Sequence, residues 1–432
     1  MPHLRFEDSA AALQEGAGGG MLPPDPAHAI PVPCPPAPAL QPLHLKATVL
    51  TSHERDAEQC YVFDFATSPG GQLLAASLSN RTVKLYQQRE AGLTQVGQVP
   101  AKQSDSHWQT ITHIEFPFVE SPHSMFSSSS DGYVVNWDAR VGTAAQIFNH
   151  RGQYMDPAEE VWSFAASAGT AGNLLVSGGN LGKVYFWDVR KNDQPLQMYE
   201  EAHTEAVTQV VLPSSRRSEF VVTASVDGLI CVLNSNKNFE EDEDTEEVLS
   251  VGDSVAKIGF YGPRGEKLWC LTHTEELSLW NWEDGSSLAM FKDTRNATAA
   301  AAAASSVPLQ TQYLIRCEYS AAADQLCLIG GAEGTVGFFP VCQPTAASGA
   351  GILPLCAHLS GGHADIVRAV EWKADAGWGN LISGGEDARL CVWSSEPNLA
   401  EAGGTPIATS AVAPMSLGDR PSKRTAPRFS PY

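Results

Sequence analysis

Seven segments of this chain share one pattern, and that repetition limits what the chain can fold into more than any other feature. Each opens on a short hydroxyl- or glycine-rich stretch, passes a turn residue, and runs into an apolar strand that closes on a bulky side chain. They read SLSNRTVKLY (77–86), SSSDGYVVNW (128–137), GGNLGKVYFW (178–187), ASVDGLICVL (224–233), LTHTEELSLW (271–280), GGAEGTVGFF (330–339) and GGEDARLCVW (384–393). The closing residues Tyr86, Trp137, Trp187, Leu233, Trp280, Phe339 and Trp393 recur every 46 to 59 positions, at or a little above the period of a propeller blade. One such unit cannot bury its own apolar face, so neighbours must stack and share a core. The spacing therefore predicts an all-β fold, a seven-bladed β-propeller. It overrides the two or three domains that 432 residues would otherwise suggest.

Lys46–Leu50 is a lone strand ahead of the first full repeat, and the last repeat ends at Trp393 with little after it. A closed ring leaves no exposed sheet edge. Residues 46–50 are thus expected to supply the outer strand of the last blade, so that the chain's two ends lock the ring. Blades are expected near 57–100, 108–150, 160–200, 203–249, 253–293, 312–356 and 363–394, within a propeller spanning 45–395. Residues 1–44, rich in Ala, Gly and Pro, read as a disordered tail, as do 396–432 with their basic end. The acidic run Glu240–Glu247 reads as a surface loop after the fourth closing strand, and the alanine-rich stretch 294–306 as a helix or a spacer.

The formal charge of −21 argues against broad nucleic-acid or anionic-membrane binding, because no basic excess exists to neutralise phosphates. Cys60, Cys231, Cys270, Cys327 and Cys391 lie in apolar strand-like runs and no CxxC occurs, as in reduced core cysteines of a cytoplasmic or nuclear protein. No run of about 18 apolar residues is present to span a membrane.

His107, His203 and His363 each stand nine residues before the end of an innermost strand, at Phe116, Leu212 and Trp372. A hydroxyl precedes a turn aspartate by four positions in the same repeats: Ser127 and Asp131, Thr223 and Asp227, Ser383 and Asp387. With Gly362-His363 and the Trp-Asp pairs at 137–138 and 187–188, these units resemble WD repeats. That resemblance implies a side-chain relay of Trp, Ser or Thr, His and Asp running from strand to strand into the turn, with Trp137 and Trp393 as its indole members. A Ser–His–Asp set invites comparison with a hydrolase triad. Yet it recurs at repeat spacing in three blades, and each hydroxyl sits inside a strand and not on a strained elbow. No phosphate-binding GxxxxGK[ST], no HExxH and no paired-Cys metal spacing occurs. The expectation is a protein that is not an enzyme and needs no cofactor.

Trp137-Asp138-Ala139-Arg140 is followed one blade later by Trp187-Asp188-Val189-Arg190, placing both arginines just past a closing strand. They would lie on the face opposite the His- and Asp-bearing turns. The run MFSSSSDGYVVNWDAR (125–140) resembles the sixteen-residue box of substrate receptors of cullin–RING ubiquitin ligases, in which such arginines dock on the ligase adaptor. The second copy matches less well, with Leu181 where the box prefers an acid. The alternative is that each arginine pairs locally with an acidic neighbour.

The segments LWCLTHTEELSLWNWE (268–283), YLIRCEYSAAADQLCLIGGAEGTV (313–336), GGHADIVRAVEW (361–372) and LISGGEDARLCVW (381–393) are similar in order and spacing to the WD repeat-containing protein 89 family, over roughly 46–395. The expectation for such a propeller is a non-enzymatic scaffold for protein–protein interactions, monomeric by itself and serving proteins or multiprotein complexes. Two narrower roles accompany it: a cullin–RING substrate receptor working through Arg140, Arg190, Asp138 and Asp188, or, from plant relatives, a factor in ribosome assembly or growth control.

Overall fold

The middle strands are built of apolar and small hydroxyl or glycine residues because both of their faces are covered. Leu74–Leu78, Leu174–Gly179 and Leu381–Gly385 are buried at every position. The outer strand Thr143–Asn149 is mostly exposed instead. Such runs and their Gly- or Asp-bearing turns give antiparallel meanders. The computed structural model describes residues 41–395 apart from 52–59, 90–91, 101–106, 153–155, 168–172, 214–218, 236–240, 322, 343–350 and 373–380. The expected terminal tails lie outside the described residues for 1–40 and 396–432.

Seven antiparallel sheets form the blades. Their innermost strands are Val62–Thr67, Ile111–Glu115, Val161–Ser167, Val207–Val211, Val255–Tyr261, Tyr313–Ser320 and Val367–Glu371. All seven closing residues lie on third strands and are buried, from Tyr86, Trp187 and Phe339 at 0% exposure to Trp280 at 6%. The core is not one mass. It consists of seven apolar wedges, one at each boundary between adjacent blades, as expected when each repeat contacts only its neighbours.

The ring closes through the chain's own ends. His44–Leu50 pairs antiparallel with Arg389–Ser394, setting Leu45 opposite Trp393 and Val49 opposite Leu390. It is the outer strand of the seventh blade. The grip begins earlier than the sequence suggests. Gln41–Pro42 pairs in parallel with Ala357–Leu359, the outer strand of the sixth blade. Leu43 and Leu45 then pack into the wedge between the sixth and seventh blades. On the other side the strand leans on the first blade, where a Cβ at Gly92 would fall 2.7 Å from that of Ala47.

A second closure runs round the bore. Every innermost strand shifts register near its start, at Val62/Asp64, Ile111/His113, Val161/Ser163, Val207/Gln209, Val255/Lys257, Leu314/Arg316 and Val367/Ala369. Such bulges re-aim the side chains that follow. Around them, a side-chain hydrogen bond crosses each blade boundary. Asp64 Oδ2 meets His113 Nδ1 at 3.2 Å and Thr112 Oγ1 donates to the Val161 carbonyl at 2.7 Å. Val210 N donates to Ser163 Oγ at 3.0 Å and Ile258 N to Gln209 Oε1 at 2.7 Å. Lys257 Nζ donates to the Ile315 carbonyl at 2.9 Å, and Val367 N to Tyr313 Oη at 2.9 Å. Thr67 Oγ1 donates to Glu371 Oε1 at 3.2 Å and completes the circuit.

Of the two insertions, one differs from its sequence reading and the other takes one of its two expected forms. The acidic run is not a loop throughout: Glu241–Asp244 forms a short helical turn and Thr245–Ser250 is the outer strand of the fourth blade. Asp244 is buried and accepts a hydrogen bond from Tyr199 Oη, while Glu241 receives the amides of Glu200 and Glu201. Here carboxylates serve as acceptors for blade three. The alanine-rich stretch is a helix, Thr294–Ala304, whose Ala301 and Ala302 enter the wedge between the fifth and sixth blades. Among the described residues seven cysteines are free, including the five expected to be reduced, whereas Cys342 is disulfide-bonded.

A chain started at residue 52 loses the closing strand and leaves two blade edges unpaired. It should unfold several kcal/mol more easily in denaturant than a chain started at residue 41, since burial contributes about 25 cal/mol per Å² of apolar surface. Equal midpoints for the two truncations would contradict this closure.

Candidate functional site

The relay residues come together in three blades. In the second, the Trp137 indole N–H donates to Ser127 Oγ at 2.8 Å, and that oxygen lies 2.8 Å from His107 Nε2. His107 Nδ1 lies 2.9 Å from Asp131 Oδ2. An indole can only donate, so the hydroxyl accepts it and passes its own proton to Nε2, leaving Nδ1–H to donate to the carboxylate. Asp131 also receives the amides of Trp108 and Tyr133 at 3.1 and 3.2 Å. The seventh blade repeats this: Trp393 to Ser383 at 2.7 Å, Ser383 to His363 at 2.8 Å, His363 to Asp387 at 3.1 Å. The fourth has Thr223, His203 and Asp227 at 2.9 and 3.2 Å, with Leu233 in place of the indole.

Burial pushes the Asp387 and Asp227 carboxyls up, but the facing imidazoles and two backbone amides outweigh it and hold both below the usual carboxylate range. Ser127, Thr223 and Ser383 have no exposed surface. A hydroxyl so enclosed, engaged by the imidazole and in Ser127 and Ser383 by the indole as well, cannot meet a substrate. The relay fastens strands to turns and keeps the loop after each histidine in place.

The third blade builds a different relay, which the nine-residue offset does not reveal. Its imidazole is His150, from the end of the second blade's outer strand. His150 Nε2 lies 2.6 Å from Ser177 Oγ and accepts from the Trp187 indole at 3.3 Å. Burial lowers its pKa to about 3, against opposing backbone hydrogen bonds, so it stays neutral. Where the other relays end in a turn aspartate, this blade has Leu181 and uses Glu159, whose Oε2 accepts from Tyr185 Oη at 3.0 Å. Glu159 is fully buried and its Oε1 has no hydrogen-bond partner. Burial raises its carboxyl to about 7, with the Tyr185 hydrogen bond acting the other way.

Arg140 and Arg190 lie on the opposite face. Each closes back on the aspartate two residues earlier. Arg140 Nε and Nη2 reach Asp138 at 2.9 and 2.6 Å; Arg190 Nε and Nη2 reach Asp188 at 2.9 and 2.7 Å. The local pairing is thus present in both copies. The arginine hydrogen bonds hold both aspartates at about 2, so the pairs persist across the physiological range. The arginine side chains stay two-thirds exposed, at 66% and 69%. The two turns are also tied together, because Gln146 Nε2 donates to the Val189 carbonyl at 2.6 Å and Asn192 Nδ2 to the Ile147 carbonyl at 2.9 Å. Among the described residues no helix is long and apolar enough to cross a membrane, and no three His, Cys, Asp or Glu side chains are grouped to hold a metal ion.

Glu159 generates a pH prediction. A carboxyl whose pKa rises from 4.5 unfolded to about 7 folded adds stability that is complete below the unfolded value. That stability is lost as pH climbs through about 7. Glu159→Gln keeps an acceptor for Tyr185 and removes the titration. It should be more stable than wild type by up to about 3 kcal/mol at pH 8, with the gap closing towards pH 4.5. A pH-independent difference in urea unfolding would contradict the buried carboxyl.

The profile of the family described as WD domain, G-beta repeat matches residues 46–87 and 355–394. Its first match opens on the closing strand, so the sequence repeat is offset from the structural blade by one strand. The chain is 34% identical to WD repeat-containing protein GTS1 of Arabidopsis thaliana over 407 residues, covering 92% of this chain and 95% of the relative. It is 27% identical to the WD repeat-containing protein 89 homolog of Dictyostelium discoideum over 343 residues, 79% of this chain and 85% of that one. With seven blades, buried Trp–Ser–His–Asp relays and a relative matched along nearly its whole length, this chain belongs to the family of WD-repeat propeller proteins that includes these two.

Proposed function

We propose that this protein is a non-catalytic scaffold that binds partner proteins through its two loop-bearing faces, and that one docking point is formed by Arg140 and Arg190. The observation that carries this is the matched pair of exposed guanidinium groups in adjacent blades, each held in the same bidentate geometry. A planar fork fixed in advance loses little entropy on meeting carboxylates or carbonyls. The loops of the same face in blades two and three also carry exposed Val119, Val141 and Leu196, apolar surface of the kind that joins charged anchors at interfaces. The buried relay hydroxyls favour the scaffold over a hydrolase.

A second, narrower reading is that of a substrate receptor of a cullin–RING ligase. It is favoured by the run 125–140 and by the spacing of the two arginines over adjoining blades.

Both readings are tested by affinity purification of tagged wild-type protein and of the Arg140→Ala/Arg190→Ala variant, with quantitative mass spectrometry. Exposed arginines contribute little to stability, so the variant should melt as wild type does while losing a defined set of partners. Recovery of a cullin–RING adaptor in that set supports the receptor reading, and its absence there contradicts it. Identical partner sets for the two proteins would contradict docking through these arginines altogether.

A further inference from the structure

The face that carries the histidine relays holds an aromatic that the repeat does not require. Trp108 follows His107 and is 56% exposed. Its amide donates to Asp131 at 3.1 Å, as the amides of Thr204 and Ala364 donate to Asp227 and Asp387 at 3.0 and 2.8 Å. Equivalent positions in blades four and seven thus take a small residue, so the indole serves no need of the relay. The backbone that carries it is fixed at both groups: its amide donates to Asp131 and its carbonyl accepts from Arg81 Nη1 at 3.1 Å.

Two arginines flank it. The Arg151 guanidinium lies 5.4 Å from the indole centroid, and the same side chain anchors itself through Nε to the Glu159 carbonyl at 2.7 Å and through Nη2 to the Ser130 carbonyl at 3.1 Å. Arg81 comes from the turn of the first blade, at a position equivalent to Gly132, Gly182 and Gly228 in the next three. All four have positive φ, 67° at Arg81 and 77–82° at the glycines. A side chain there is strained where glycine is not. Blades five and seven also carry a side chain there, Glu275 and Ala388 at φ 65° and 61°, and among these Arg81 brings a cation to Trp108. An exposed indole with one guanidinium against its ring and a second at its own backbone carbonyl is the composition of an interface anchor.

We propose that Trp108, Arg81 and Arg151 form a docking site for an acidic peptide segment of a partner protein, one side chain packing on the indole while carboxylates pair with the two guanidinium groups. The charge argument selects the partner: on a chain with net charge −21, these two cations meet at one exposed aromatic. The same excess of negative charge opposes a polyanion long enough to extend beyond the patch, which disfavours RNA stacking on the indole. The site lies on the opposite face from Arg140 and Arg190 and does not depend on the docking assigned to them.

The test is selection from a phage-displayed random peptide library on the full chain, with counter-selection on the Trp108→Thr variant. The enriched peptides are then synthesised with a fluorescein label and titrated by anisotropy. Thr is the residue that blade four carries at this position, and Arg81→Gly restores the residue its turn prefers, so both variants should melt at or above the wild-type temperature. Enriched peptides should be rich in Asp and Glu, and each variant should weaken their binding at least tenfold. The proposal is overturned if no enriched peptide depends on Trp108, or if the enriched peptides are basic or purely apolar. Tight binding of a labelled oligouridylate that is lost in Trp108→Thr, without acidic-peptide binding, would also overturn it and assign the site to single-stranded RNA.

Discussion

The pairing of His44–Leu50 with Arg389–Ser394 is the contact on which the rest of this structure depends. A blade has two apolar faces and two edges, and covers neither by itself. Six of the boundaries follow from continuous chain, but the seventh needs a strand that only the amino-terminal end supplies. Without it the outer edge of the last blade and the wedge between the seventh and first blades, where Ala47 and Val49 pack against a cluster that includes Leu390, Val392 and Tyr86, would open. The parallel contact of Gln41–Pro42 with the sixth blade spreads this load over two blades. Hydrogen bonds around the bore close the same ring a second time from inside.

Much of this is legible from the chain because repetition turns one weak pattern into seven. The closing residues, the three relays at fixed offsets and the orphan strand are all visible as spacing. What stays hidden has physical causes. His150 acts in the third blade but belongs in sequence to the second, so an offset measured within one repeat misses it. The hydrogen bonds round the bore follow no residue type: Asp64, His113, Ser163, Gln209 and Lys257 share a register position and nothing chemical, while Thr112, Tyr313 and the Thr67–Glu371 pair act from other positions. Asp244 reads as part of a solvated acidic run, yet Tyr199 gives it a buried partner. Of the arginines, the pattern predicts their face and cannot say that each folds back on its own aspartate.

A rigid ring explains why its two faces can carry different tasks. The relays fix the loops that bear Trp108, while Gln146 and Asn192 fix the turns that bear Arg140 and Arg190. Binding groups held in this way lose little freedom on association, so affinity can come from a few anchors. Specificity then lies where the repeats differ from one another, at a tryptophan where blades four and seven use Thr204 and Ala364 and at an arginine where the next three blades use glycine.

Native-state hydrogen exchange of the closing strand tests the central claim most directly. If ring closure governs the whole fold, the paired amides of His44–Leu50 should open only with global unfolding. Their exchange free energies should then match those of the buried strand Leu174–Gly179 and shift with it in low denaturant. Exchange of the closing strand at a free energy several kcal/mol lower, while the other blades stay protected, would show a frayed end on a ring that holds without it, and would contradict the account.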